Sequence, residues 1–182
     1  MSSCFVAFPP CVVSALGSAS AVGFSGSRSV RPPLGLVSSV VGFVPPLARC
    51  SVGCAAGTDR AFRLALGSRA SVFSVSSFGR GRGAFAARSV ACVRSVAVSG
   101  GLWVSFPGGP CPAGLAPSSS SSRCFCGSGS GSWASLAFAL GLGVPCLVWF
   151  PSASVVAPAG WGLSPVGAGW WVSAPPAQLS LF

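Results

Sequence analysis

No apolar stretch of this chain runs far before a glycine, proline or serine interrupts it. There are 25 Gly, 16 Pro and 34 Ser among 182 residues, well beyond the roughly 25–30% share at which Gly, Pro and Ser signal low complexity. Between these breakers stand 15 Leu, 23 Val and 13 Phe, while charged residues amount to only 7%. Typical soluble domains carry about 25% charge, so this chain has few groups with which to cover a core. Local breaks oppose extended burial, a conflict that marks a frustrated landscape. The composition predicts no unique fold: mostly irregular, disordered low-complexity chain, a few short β-strands within 71–106, and one candidate apolar helix at 133–150. Aggregation is the further expectation.

A second regularity bears on origin. All residues except Met1, Thr58, Asp59 and Gln178 belong to amino acids that can be encoded without adenine in the first two codon positions. Lys, Glu, His, Tyr, Asn and Ile are absent, although no physical property unites them. Base composition accounts for the pattern, and an adenine-poor frame also stays open because every stop codon contains A. The first functional reading is therefore a spurious or unselected product of an adenine-poor open frame with no assignable biochemical role.

The formal charge of +10 arises from eleven Arg against Asp59 alone. Arg is the one cation with A-free codons, so the excess follows from the same bias. It would still attract polyanions nonspecifically. The nine cysteines are odd in number and irregular in spacing, and neither a disulfide framework nor a compartment follows from them.

Along the chain, 1–24 is apolar and ends in small residues, as a signal peptide does, but lacks a basic start and contains Pro9-Pro10. Residues 25–70 hold Pro32-Pro33 and Pro45-Pro46 and predict no element beyond a helical turn at 61–65, stopped by Gly67. Within 71–106, alternation over 92–98, a Ser99-Gly100-Gly101 turn and 102–106 read as a hairpin, with 71–78 as a third strand. Residues 107–132 read as a Pro/Gly/Ser linker. Residues 133–150 carry no charge and would span about 27 Å as a helix, close to a membrane core, with Trp133 and Trp149 at the ends. On that reading the segment is a transmembrane helix contacting lipid, the location is the membrane, and the positive-inside rule puts the Arg-bearing part in the cytoplasm. Gly141, Gly143 and Pro145 oppose it. Residues 151–182 form an uncharged Pro/Trp-rich tail.

The reagents of most enzymes are missing. Without His, Glu, Lys or Tyr, and with one carboxylate side chain, neither a Ser-His-Asp nor a paired-carboxylate site can be written. A Walker A loop requires Lys. No catalytic residue, cofactor or metal is expected. Cys50/Cys54 and Cys124/Cys126 lack the spacing of zinc pairs and read as separate thiols. The run 78–83, Phe-Gly-Arg-Gly-Arg-Gly, resembles an RGG segment, and Arg80 and Arg82 are the candidate nucleic-acid contacts. The alternatives to an unselected product are thus a small membrane-associated protein held by 133–150 and an Arg-rich nucleic-acid-binding accessory protein.

Overall fold

The computed structural model describes residues 7–127, 129–152 and 154–173. Their centre is a seven-stranded sheet of order β3-β2-β1-β4-β5-β7-β6. The strands are β1 (Ala21–Gly26), β2 (Arg49–Gly53), β3 (Ala70–Phe73), β4 (Leu102–Phe106), β5 (Cys146–Trp149), β6 (Leu163–Gly167) and β7 (Trp170–Ser173). The first five in spatial order are parallel, with Val22 opposite both Cys50 and Leu102. β7 is antiparallel to β5 and to β6. Buried on both faces, β1 and β4 read as unbroken runs of small and apolar residues, as central parallel strands do.

Helices α1 (Pro10–Ser18), α2 (Leu34–Phe43) and α3 (Thr58–Leu66) supply Val12, Leu16, Leu36, Val40, Phe62 and Leu66 to one cluster, which includes Phe24, Val52 and Phe106 of the sheet. Helices α4 (Arg82–Val98) and α6 (Gly131–Gly141), with the short α5 (Ser121–Cys124), contribute Val93, Val96, Cys124, Trp133 and Phe138 to a second cluster, around Trp103 and Val148. Chain direction explains the split. From β1 the chain steps outward through β2 to β3; from β4 it steps the other way to β5. Right-handed crossovers then put the connecting helices on opposite faces.

This ordered α/β architecture corrects the expectation of an irregular, disordered chain with a few strands in 71–106. Apart from Pro165, the described prolines fall between elements or at their starts, while the helices and strands carry glycines such as Gly17, Gly35 and Gly53 without breaking. Pro10 opens α1, Pro33 immediately precedes α2, and Pro145 immediately precedes β5. Pro165 sits in β6, beside a register shift, at the sheet edge where proline is tolerated. The expected hairpin is also corrected. Residues 92–98 belong to α4, whose Ala84, Arg88, Cys92 and Val96 are buried at four-residue spacing, while Leu102–Phe106 is a strand with parallel partners on both sides.

The transmembrane expectation falls as well. Residues 133–150 divide into most of α6, a turn, and β5, because Gly143 takes a positive φ of 73° and Pro145 follows. Among the described residues no helix is long and apolar enough to cross a membrane. The apolarity of the segment is that of an interior: residues 132–139 of α6 are all buried. In the stretch read as a linker, Leu115 and Cys124 are buried and the Ser118 N–H donates to the Ala137 carbonyl at 3.2 Å. Of the signal-like segment, residues 1–6 lie outside the described residues, as do residues 174–182 of the tail.

Candidate functional site

The order 3-2-1-4-5 reverses direction between β1 and β4. Chains leaving the carboxyl ends of these two strands turn to opposite faces, and a crevice opens there, the usual ligand position in open α/β sheets. The crevice floor is built from short residues. Ser27, just past β1, donates its N–H to the Phe106 carbonyl at 3.0 Å, and its hydroxyl accepts the Ser29 and Val30 N–H groups. Thr58 ties the next loop to this one: its N–H donates to the Ser27 carbonyl at 3.0 Å and its hydroxyl to Val30 at 3.3 Å. At Gly26 any side chain would run into Thr58.

The end of β2 carries the one buried ion pair described. Asp59 in the first turn of α3 and Arg88 in α4 approach from opposite faces and meet over Gly53, Nη1 to Oδ2 at 3.0 Å. A Cβ on Gly53 would collide with both groups. Arg63 closes the loop beneath them, donating to the Gly53 and Ala55 carbonyls. The two paired side chains are 9% and 7% exposed. Burial outweighs the Arg88 charge and raises Asp59 above its ordinary 3.8, with Arg88, the Ala55 N–H and Arg63 pulling the other way.

Arg88 is incompletely satisfied. A guanidinium has five N–H donors, yet among the described residues Arg88 donates only to Asp59, and its buried Nε has no acceptor. A buried cationic group with idle donors is costly unless something accepts from them.

Arg88 lines a cavity of about 730 Å³ that extends from these strand ends between α4 and the start of α6. Ligand pockets commonly measure about 300–1,000 Å³. Its lining mixes polar residues, among them Ser25, Ser27, Arg28, Arg82 and Ser89, with apolar ones such as Cys92, Leu115, Phe125 and Ala134. The first residues of two helices reach it, Arg82 and Gly83 of α4 and Gly131 and Ser132 of α6. Neither helix has a side-chain cap, so their leading N–H groups lack helical acceptors and carry the positive end of the dipole. Asp59 is the sole carboxylate among the cavity's residues, against three arginines.

Burial holds two of the cavity's thiols away from their anions. Burial, reinforced by Asp59, pushes Cys92 up to about 12, and burial raises Cys124 too. Among the described residues no His/Cys/Asp/Glu group of three could hold a metal ion; Cys50 is the second residue of β2 and Cys54 lies just past its last, and Cys124 and Cys126 line the cavity.

Of the two arginines singled out from sequence, Arg82 lines the cavity, while Arg80 is exposed two residues earlier and is not part of the wall. Asp59, Arg88, Ser25, Ser27 and the start of α6 were not picked out by sequence reasoning. One signal was available. Thr58 and Asp59 are two of the four residues that break the codon pattern, they are adjacent, and both are buried at this crevice.

Comparison with protein-family models, with curated proteins and with solved structures finds no match.

Proposed function

We propose that the crevice at the carboxyl ends of β1, β2 and β4 binds a small phosphorylated molecule. Arg88 carries this reading: a guanidinium set in the cavity wall, held by Asp59 through one of its five donors. The setting supports an anion in three further ways. Uncapped helix starts at Gly131 and Arg82 supply backbone N–H groups and dipole charge, the arrangement that favours phosphate. Arg28 and Arg82 add exposed cationic charge at the mouth. Ser25, Ser27 and Ser132 offer hydroxyls, so a phosphate site is assembled without the lysine of a Walker loop.

The role proposed is binding rather than catalysis, since the chain contains no His, Glu, Lys or Tyr and burial holds the cavity's Cys92 thiol away from its anion. The ordered α/β fold, with its described prolines outside or at the start of every element except β6, favours a selected product over an unselected frame.

Titration calorimetry of the full chain with inorganic pyrophosphate tests the reading. Saturable binding is expected, weakening with salt, and falling at least about tenfold, the change worth about 1.4 kcal/mol, in a variant carrying Asp59→Asn with Arg88→Met. Changing both members avoids stranding one buried charge, a defect that by itself costs about 3–5 kcal/mol. Equal affinity in that variant, with a cooperative thermal transition retained, rejects the assignment. So does the absence of saturable binding by the parent chain.

A further inference from the structure

The cavity is larger than a phosphate needs, and its lining also includes apolar groups, among them the half-buried Phe125. At the mouth stands a second feature that the anion reading does not use. Phe85, in the first turn of α4, is 39% exposed although it is a large apolar ring. The Arg28 guanidinium lies over it, 4.7 Å from the ring centroid. Both residues line the cavity. A planar cation set against an aromatic ring is a ready stacking surface for a further flat ring.

We infer that the phosphorylated ligand bears a planar aromatic base, which stacks against the Phe85–Arg28 pair while its phosphate meets Arg88 and the start of α6: the site takes a nucleotide. The inference rests on the phosphate reading and adds the ring. Phe85 and Arg28 then set specificity. They come from the β1–α2 loop and from α4, so the two sides of the mouth are joined through the ligand's base. Nothing covalent is involved.

The test compares three probes on the full chain by calorimetry: adenosine 5′-monophosphate, ribose 5-phosphate and inorganic phosphate. The nucleotide should bind at least about tenfold more tightly than ribose 5-phosphate, a span consistent with base–aromatic stacking. Phe85→Leu should erase that preference and leave ribose 5-phosphate affinity unchanged; Phe85→Trp should retain it. Because Phe85 is partly exposed, these variants should keep the parent's thermal transition, and Arg28→Gln, at an exposed loop position, gives an independent reduction. Equal binding of nucleotide and sugar phosphate overturns this inference and leaves the phosphate site standing. A preference untouched by Phe85→Leu and Arg28→Gln also overturns it. If none of the probes binds, both readings fall. A fourth probe, an oligothymidylate, covers the alternative: binding far tighter than that of the mononucleotide overturns the inference in favour of a strand-binding rim.

Discussion

The two faces of the sheet solve the same packing problem with different materials. On the face covered by α1, α2 and α3, aliphatic side chains surround a run of Phe rings: Phe24 stacks on Phe62 at 4.3 Å, and Phe62 meets Phe106 at 5.1 Å. On the face covered by α4 and α6, the interior is built of Trp103, Trp133 and Trp161 with Cys92, Cys124 and Cys146, and toward the carboxyl edge it gives way to a cavity of about 730 Å³. Trp133 lies 5.6 Å from both Phe150 and Trp161 and uses its indole N–H to hold Gly109 at 2.8 Å. The first face is closed and apolar; the second is partly open and carries Arg88. Packing and ligand binding are thereby largely separated, although Asp59 at the start of α3 and Phe24 reach the site from the first face.

The sharpest way to break that separation is to damage the closed face. Phe62→Ala removes a fully buried ring between two others and should cost about 3–5 kcal/mol in chemical denaturation, while pyrophosphate affinity of the folded fraction stays unchanged. A matching loss of affinity would show that the faces are not independent. Gly53→Ala attacks the seam between them. The added methyl would meet both Arg88 and Asp59, so a loss of about 1–3 kcal/mol, typical of overpacking, should come together with weakened anion binding. An alanine tolerated without either effect would contradict the close approach over β2.

The smallest effect is a pH dependence. Burial raises Asp59 above 3.8, so the folded chain holds this proton more tightly than the unfolded chain. Its contribution to stability is greatest below 3.8, declines as pH rises from there through the raised folded value, and is level above it. Thermal denaturation across that interval should show this decline in the parent and its absence in Asp59→Asn. A parent whose stability relative to Asp59→Asn instead increases with pH would mean that Arg88 outweighs burial.

Sequence reasoning reached some of these features and missed others for identifiable physical reasons. Leu102–Phe106 is visible as a strand because it is a short apolar run, but its parallel neighbours are remote in sequence and leave no local mark. The 92–98 segment misled because Val-rich alternation also satisfies helical spacing: Arg88, Cys92 and Val96 share one face of α4, and burial of Arg88 is paired at a distance by Asp59. The apolarity of 133–150 is equally that of a membrane helix or of a buried helix followed by a buried strand; Gly143 and Pro145 decide between them. Glycine and proline counts suggested disorder because a count is blind to position: the described prolines stand at the joints, Pro165 apart, and the elements hold Gly17, Gly35 and Gly42 without breaking. Arg82 was legible as an exposed cation. The Asp59–Arg88 pair was not, since only the fold brings α3 and α4 together over Gly53.

The central claim is that this low-charge chain folds into one α/β unit whose second face opens into an anion site. An amide ¹⁵N–¹H NMR titration of the full chain with inorganic pyrophosphate tests it most directly. The account expects dispersed amide signals and saturable shifts concentrated at Ser25, Gly26, Ser27, Gly53, Gly131 and Ser132, with Val44, Leu142 and Val144 near the opposite edge unmoved. A collapsed amide spectrum would contradict the fold. Dispersed signals that move uniformly, or do not move at all, would contradict the site.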